Sequence, residues 1–276
     1  MTSSCKVESK YILGSTDAEH DRLNRQGHLV SKITRHLLEE AGVEPAMRVL
    51  DVGSGVGDVA FLVAERVGPT GHVSCLDTDG AALQTARERA AAAGLTNISF
   101  HVGDLRSFQS STGFDAAVGR CVLLHQSDPS AALESVVRQV NTGGLVIFQE
   151  PCFSLAFSNP RAPLFDQMIG WLHQTLSAGG FDMDVGMRLY SIFVSAGLPA
   201  PKLAFEMLVD GNPQSDIYEY CTDTLRSLLP QMERLRITTA ALVQVETLAQ
   251  RLRQEAATLG SLVGVMPLMG TWCRKP

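Results

Sequence analysis

The chain has 276 residues, of which 45% are hydrophobic and 19% charged, and its net charge at pH 7 is −6. This composition supports a large buried core and excludes a globally disordered chain. The negative charge argues against a nucleic-acid partner, because phosphate binding requires a cationic surface. The N-terminal residues lack the apolar core of a secretory signal. No apolar run reaches the roughly 20 residues that cross a bilayer, so we expect no membrane insertion.

The cysteine and histidine spacings indicate neither a disulfide framework nor a metal site. The six cysteines are scattered, with no C-x-x-C pair, and the seven histidines include no H-E-x-x-H pattern. Scattered cysteines are typical of reduced thiols in a cytosolic protein. We therefore expect a cytoplasmic protein without a bound metal.

Strands and helices alternate in the first half of the sequence. An amphipathic helix is predicted from Asp17 or Ala18 to Glu40, with Gly42 as its stop. The segments that follow are predicted, in chain order, as strand 47–51, helix 58–66, strand 71–77, helix 80–93, strand 97–102, strand 114–118, helix 128–140 and strand 144–150. These strands are apolar on both faces, which indicates a parallel sheet covered by helices.

The alternation changes after Glu150. The segments predicted there are an amphipathic helix near 164–172, a helix at 189–197, a strand at 201–209, a mostly helical stretch at 214–257 and a last strand at 263–273. The predicted fold class is α/β. It is a Rossmann-like, doubly wound, mostly parallel sheet of seven strands with helices on both faces, an N-terminal helix and C-terminal helical lid insertions. No linker is visible, so one integrated domain is expected.

A glycine-rich loop joins the first predicted strand to the next helix. Its sequence is Asp51-Val-Gly53-Ser-Gly55-Val-Gly57. Glycines here allow a tight turn and a close approach of a ligand to the backbone. Asp77, twenty residues after Gly57, ends the next strand. A carboxylate at this point can accept hydrogen bonds from both ribose hydroxyls of a nucleotide cofactor. The loop and Asp77 alone fit a dinucleotide as well as S-adenosylmethionine.

Two acids beside the loop favour S-adenosylmethionine. Asp51 precedes the first glycine, and Asp58 lies near the start of the following helix. Asp51 can help to hold the cationic α-amino group of S-adenosylmethionine. The same two acids would repel the pyrophosphate of a dinucleotide, which normally sits at a helix N-terminus.

Five segments in order resemble the motifs of class I S-adenosylmethionine-dependent methyltransferases. They are the loop 51–57, Asp77, Gly103-Asp104-Leu105, Phe114–Val118 and Asn141-Thr-Gly143-Gly144, where threonine replaces the usual proline. The segments 11–14, 119–129 and 146–151 further resemble the ubiquinone/menaquinone-biosynthesis-like branch and its natural-product relatives. Within that branch, the resemblance implies an activity class but no particular acceptor.

The resemblance implies S-adenosylmethionine as cofactor and S-adenosylhomocysteine as product. It places cofactor contacts at Tyr11, Asp51, Gly53, Ser54, Gly55, Gly57, Asp77, Thr78, Gly103, Asp104, Leu105 and Arg120. Asp104 corresponds to the acid that contacts the adenine amino group. Arg120 can bind a cofactor carboxylate or an acidic substrate, or form a structural ion pair. Tyr11 can close over the cofactor or remain a surface aromatic. Residues 1–45 would form an arm and helix over the cofactor, 46–150 the cofactor-binding core and 151–276 the lid and last strands.

Two side chains are the catalytic candidates. His125 follows the fourth strand and is the leading general base, and local hydrogen bonding is its alternative role. Glu150 ends the fifth strand and can face the acceptor, although a packing or capping role is equally compatible with its position. A base is required only when the acceptor proton is tightly held, as in a phenol or a carbon acid.

The expected function is methyl transfer to a small molecule. Apolar side chains after the fifth strand can form a lid over an aromatic, quinone-like or prenylated acceptor, or an ordinary core. They are Phe153, Phe157, Phe165, Met168, Trp171 and Leu172. The alternatives are a non-methylating cyclase or binding protein that uses the same cofactor, and a nicotinamide-dependent oxidoreductase. A homo-oligomer is compatible with the sequence.

Overall fold

A computed structural model describes residues 17–276, with side chains from residue 29 onward. The described residues form an eight-stranded sheet in the order β3-β2-β1-β4-β5-β8-β6, and β7 also pairs with β8. The strands are β1 (Arg48–Val52), β2 (His72–Asp77), β3 (Ile98–Val102), β4 (Phe114–Arg120), β5 (Val140–Pro151), β6 (Phe157–Asn159), β7 (Lys202–Asp210) and β8 (Leu262–Arg274). The helices are α1 (Asp17–Ala41), α2 (Asp58–Val67), α3 (Gly80–Ala92), α4 (Pro129–Gln139), α5 (Pro163–Ala178), α6 (Leu189–Ser195), α7 (Ile217–Arg234), α8 (Ala240–Val243) and α9 (Val245–Leu259).

Strands β1 to β5 are parallel, and β8 runs antiparallel to β5, β6 and β7. Parallel neighbours need crossover connections, which explains why a helix follows each of β1, β2 and β4, whereas β3 leads to the distant strand β4 without one. The carboxyl ends of β1, β2, β3 and β4 therefore meet at one edge of the sheet. Ligands of open α/β sheets bind at this edge.

Hydrophobic clusters cover both faces of the sheet. Along β1, Val49 packs with α1 and α2, whereas its neighbour Leu50 packs with α4 and α6 on the other face. Successive side chains of a strand point to opposite faces of the sheet. Because helices cover both faces, the central strands are apolar throughout. A third cluster joins α5, α7 and α9, with Phe165 and Leu225 fully buried within it.

The predicted fold class is confirmed, with three differences in detail. The strand β6 has only three residues, too few for a sequence pattern, and it brings the sheet to eight strands. The motif segment 141–144, which lies before the predicted fifth strand, is an irregularity inside β5, because Phe114 pairs with Val140 and Ala116 already pairs with Leu145. The helical stretch 214–257 is divided into α7, α8 and α9. Within residues 17–276, no helix combines the length and apolarity needed to span a bilayer.

Candidate active site

The glycine loop turns sharply between β1 and α2. The backbone N–H groups of Gly53 and Ser54 both donate to the carbonyl oxygen of Leu76, at 2.8 and 3.2 Å. The N–H of Gly57 closes the turn by donating to the Ser54 carbonyl at 2.9 Å. These bonds fix the loop against the end of β2, where Asp77 lies, the candidate partner of the ribose hydroxyls.

The three glycines of the loop all have positive φ, but they differ in how much space surrounds the position of a Cβ atom. A Cβ on Gly53 would come within 2.7 Å of the Val122 side chain, and one on Gly57 within 2.8 Å of the Phe61 ring. Gly55 has φ +51°, and a Cβ there would meet no atom within 4 Å. Gly53 and Gly57 are therefore required by packing, whereas Gly55 leaves free space above the loop.

Asp51 is a buried carboxylate with unused hydrogen-bonding capacity. It is 1% exposed, and its Oδ2 has no hydrogen-bond partner among the residues that the structure describes. Burial raises the pKa of Asp51 to about 8, against the opposing effects of the Arg120 charge and the Ala60 N–H. A cationic group at Oδ2 would supply the missing partner. The α-amino group of S-adenosylmethionine fits this requirement.

Asp77 joins the glycine loop to the turn before α3. Its Oδ2 accepts the Gly55 N–H at 2.7 Å, and its Oδ1 accepts the Asp79 N–H at 2.8 Å. Burial raises the pKa of Asp77 above its usual value, although these N–H groups oppose the shift. The residue remains half-buried, and the neighbouring Thr78 is exposed. The carboxylate thus lies at the carboxyl end of β2, as the predicted ribose contact requires.

Arg120 connects the loop to α1 through side chains that the sequence interpretation missed. Its Nη1 donates to the Thr34 hydroxyl at 3.1 Å, and that hydroxyl donates to Gln149 Oε1 at 2.8 Å. Its Nη2 lies 3.8 Å from Asp58 Oδ2. The sequence signal was the position of each polar residue. Thr34 lies on the apolar face of α1, four residues from both Val30 and Leu38, and Gln149 follows the apolar run 145–148 of β5.

The loop after β3 also reaches this edge. The Gly103 N–H donates to the Asp77 carbonyl at 2.9 Å, and Leu105 packs against the core. The Asp104 carboxylate forms a salt bridge with Arg106 at 2.7 Å, and this hydrogen bond lowers the pKa of Asp104. Its side chain is 40% exposed. An adenine contact at Asp104 stays a prediction, in which the base would share the carboxylate with Arg106.

His125 ends a 3₁₀ turn, Leu123–His125, that follows β4. Its ring meets the Phe181 ring edge-on, with centroids 4.9 Å apart. The protein atoms around the ring lower the pKa of His125 to about 4, although the residue keeps exposed surface. At neutral pH the imidazole is therefore uncharged, which is the state of a general base, but a pKa of about 4 also makes it a weak one.

Glu150 caps that same turn from inside the protein. Its Oε1 accepts the N–H groups of Val122 and Leu123 at 2.9 and 2.8 Å, and its Oε2 accepts that of Leu124 at 3.4 Å. The residue is fully buried, and this burial raises its pKa to about 7. These contacts favour the capping role over the catalytic role that was predicted as its alternative.

Replacement of Glu150 separates these two roles. We expect Glu150→Ala to lower the free energy of unfolding by about 3 kcal/mol, because it leaves buried N–H groups without an acceptor. Glu150→Gln keeps one acceptor oxygen, so the free energy of unfolding should fall by less than half as much as in Glu150→Ala. Urea unfolding of both variants measures the difference. Equal stability of the alanine variant and the unmodified protein would contradict the capping role.

The predicted lid residues divide between a core and a small cavity. Phe165, Met168 and Leu172 are buried against α7 and α9, as in an ordinary core. A cavity of about 30 Å³ lies beside them. It is lined by Phe153, Ala156, Ile169, Leu172, Tyr220, Cys221, Thr224, Val265 and Met266. Its volume is about that of one water molecule. An acceptor could enter here only after the lining residues move.

The Tyr11 prediction lies outside the described residues. The remaining predicted cofactor residues lie at the carboxyl ends of β1, β2 and β4 or on the loops after β1, β2 and β3, so the topology brings them to one edge of the sheet. Their contacts to a cofactor stay predictions.

Residues 43–178 match the family model of a methyltransferase domain. The chain contains a class I methyltransferase domain. A curated relative, the ubiquinone/menaquinone biosynthesis C-methyltransferase UbiE of Ectopseudomonas mendocina, is 32% identical over 160 residues. The match covers 55% of this chain and 59% of UbiE, so the chain spans about six tenths of the length of this relative.

Two solved structures share the fold of this methyltransferase domain. A putative methyltransferase from Bacillus halodurans has a TM-score of 0.56 at 15% identity, covering 88% of this chain and 98% of that chain. The [4+2]-cyclase SpnF has a TM-score of 0.51 at 17% identity, covering 89% and 80%. At these identities the likeness concerns the fold alone. The predicted family and its cofactor, S-adenosylmethionine, are confirmed at the level of the domain.

Proposed function

We propose that the chain transfers the methyl group of S-adenosylmethionine to a small-molecule acceptor. The observation that carries this proposal is the buried carboxyl group of Asp51, whose Oδ2 has no hydrogen-bond partner among the side chains that the structure describes, from residue 29 onward. Asp51 lies at the start of the glycine loop, where the charge of Arg120 acts on it. The carboxyl group of Asp51 suits an ammonium group, and the guanidinium of Arg120 suits a carboxylate. S-adenosylmethionine carries both groups in its amino-acid part.

The residues have distinct roles in this proposal. Asp51 holds the ammonium group, Arg120 the carboxylate and Asp77 the ribose hydroxyls. The loop around Gly53, Ser54, Gly55 and Gly57 lets the cofactor approach the backbone, while Thr78, Gly103, Asp104 and Leu105 surround the adenosine part. The sulfonium supplies an activated methyl group, so the protein has mainly to align the acceptor and exclude water.

The proposed domain organisation follows the same division. Residues 1–45 close over the cofactor, residues 46–150 bind it, and residues 151–276 face the acceptor. Tyr11 would contribute to the closing segment. This arrangement would exclude water from the methyl group on both sides.

An aromatic, quinone-like or prenylated acceptor is the class that we propose. The apolar side chains of Phe153, Ile169 and Leu172 line the cavity beyond β5 and support an apolar acceptor. Similarity to an enzyme of ubiquinone/menaquinone biosynthesis agrees with this class. His125, uncharged at neutral pH, would accept a proton from a phenol or carbon acid.

The decisive experiment measures cofactor binding by calorimetry. Wild-type protein and Asp77→Asn are titrated with S-adenosylmethionine, S-adenosylhomocysteine and NADH. We expect micromolar binding of the first two ligands, weakened about tenfold or more in the variant, because a carboxylate is a stronger acceptor than an amide. Binding of NADH alone would overturn the proposal in favour of a nicotinamide-dependent enzyme.

The matched control is Asp115→Asn. Asp115 lies near the start of β4, at the opposite end of the sheet, where its Oδ2 accepts the Arg48 N–H at 2.9 Å. The same substitution there should leave both affinities within about threefold. An equal loss in the two variants would mean that Asp77 acts only through general stability.

A second experiment tests transfer itself. Methyl-labelled S-adenosylmethionine is incubated with phenols, quinones and prenylated metabolites, and labelled product is measured for wild type and His125→Gln. We expect about tenfold or greater loss of turnover in the variant if the acceptor must lose a proton. Cofactor binding without transfer to any of these acceptors would contradict the acceptor class and favour a cyclase or binding protein.

A further inference from the structure

Three buried polar side chains form a hydrogen-bonded chain beside the glycine loop. Arg120 ends β4 and is aligned with Gln149 of β5, while Thr34 comes from α1. Thr34 and Gln149 are 1% and 2% exposed, and the Arg120 side chain is 8% exposed. Buried polar groups are costly unless each finds a partner, so their close association constrains all three side chains.

The guanidinium chemistry fixes the direction of the first hydrogen bond, and the orientation of the Gln149 amide gives that of the second. A guanidinium only donates, so the Thr34 oxygen must accept from Arg120 Nη1. The Thr34 hydrogen is then directed to Gln149 Oε1 at 2.8 Å. Position 34 therefore requires a group that accepts and donates at once. Serine or threonine satisfies this requirement, whereas valine has the same shape but neither function.

Arg120 has competing carboxylates within reach. Its Nη2 is 3.8 Å from Asp58 Oδ2, beyond hydrogen-bond distance, and its charge also acts on Asp51. Asp58 already accepts from Arg89 Nη1 at 2.9 Å. The hydrogen bond from Arg120 to the Thr34 hydroxyl thus keeps the guanidinium between the two acids instead of pairing it fully with either. In that position the other N–H groups of Arg120 can meet a ligand carboxylate in two-point geometry.

We propose that Thr34 is a positioning residue that holds Arg120 for the carboxylate of the cofactor. This inference rests on the proposed function and adds a helix α1 residue outside the motifs of the cofactor loops. Loss of the hydroxyl frees Arg120 to pair with Asp58, and the carboxylate of the ligand loses its partner. Affinity for ligands without that carboxylate is then largely unaffected.

The test compares two ligands that differ in this one group. S-adenosylmethionine carries the carboxylate, and decarboxylated S-adenosylmethionine keeps the ammonium and sulfonium groups but lacks it. Calorimetry gives the ratio of the two affinities for wild type, Thr34→Val, Thr34→Ser and Arg120→Gln. We expect Arg120→Gln and Thr34→Val to lower the ratio by about tenfold or more, the range of a charge-assisted hydrogen bond. Thr34→Ser keeps the hydroxyl, so its ratio of affinities should stay within about threefold of that of wild type.

The outcomes separate this inference from the function on which it rests. Wild-type protein that binds neither ligand contradicts the proposed function itself. An unchanged ratio in Thr34→Val, or an equal loss of affinity for both ligands, overturns the positioning role while leaving the function intact. Melting temperatures of the ligand-free variants are measured in parallel. If Thr34→Val does not fold, Thr34→Ala serves as the second variant with the same expected ratio.

Discussion

Replacement of Asp51 by asparagine is expected to weaken S-adenosylhomocysteine binding by about 100-fold, which corresponds to about 2.7 kcal/mol. The substitution keeps the shape of the side chain and removes the negative charge. In the proposed complex, Oδ2 of Asp51 pairs with the ligand ammonium, and the residue Asp51 is only 1% exposed. An amide nitrogen at this point would leave the ammonium without a partner, and a buried unpaired charge costs several kcal/mol.

The same variant is expected to be more stable than wild type without ligand at pH 8. Burial raises the pKa of Asp51 from 3.8 to about 8. Between these values the folded protein binds more protons than the unfolded chain, so this group lowers the free energy of unfolding as pH rises, with the effect levelling off above about pH 8. Asparagine does not titrate. The stability advantage of Asp51→Asn should therefore grow from pH 4 to 8 and exceed about 1 kcal/mol at the upper end.

Urea unfolding at pH 5 and pH 8.5 measures this advantage, and calorimetry measures the affinity. Asp115→Asn is the matched control, because it removes a carboxylate at the opposite end of the sheet. The groups that act on Asp51 in the ligand-free protein are Arg120, Asp77 and Asp58. Unchanged ligand affinity in Asp51→Asn would exclude the ammonium contact.

A methyl group at position 55 is expected to weaken cofactor binding at least 100-fold while the protein stays folded. Gly55 has φ +51°, and a Cβ there would meet no protein atom within 4 Å. The cost of Gly55→Ala to stability is thus the left-handed backbone conformation alone, about 1–2 kcal/mol. In the proposed complex, the added methyl would occupy the free space through which the cofactor approaches the loop. We expect at least a 100-fold loss of affinity for S-adenosylhomocysteine.

Gly260→Ala provides the matched control for this strain. Gly260 ends α9 with φ 64° and ψ 32°, and a Cβ there also meets no atom within 4 Å. Both variants should lose similar stability in thermal unfolding, and only Gly55→Ala should lose the ligand in calorimetry. Normal ligand binding by Gly55→Ala would mean that the cofactor does not approach this face of the loop.

The alternation of strands and helices was visible in the sequence because local patterns cause it. Residues such as Val49 and Leu50 are both apolar since each faces a different helical layer, and this run is typical of a central parallel strand. Asp128 and Pro129 mark the start of α4 by chemistry that acts within one turn. The three-residue strand β6 carries no such local signal, because only its pairing with β8 defines it.

The candidate site divides in the same way. The loop 51–57 and Asp77 were recognisable from the sequence, since glycine conformation and strand ends are properties of short segments. The packed structure was needed to show that Glu150 points inward onto the N–H groups of residues 122–124. It alone placed Thr34 next to Arg120, 86 residues away in the chain. Such contacts depend on how whole helices pack on the sheet, and no pattern within a single segment specifies them.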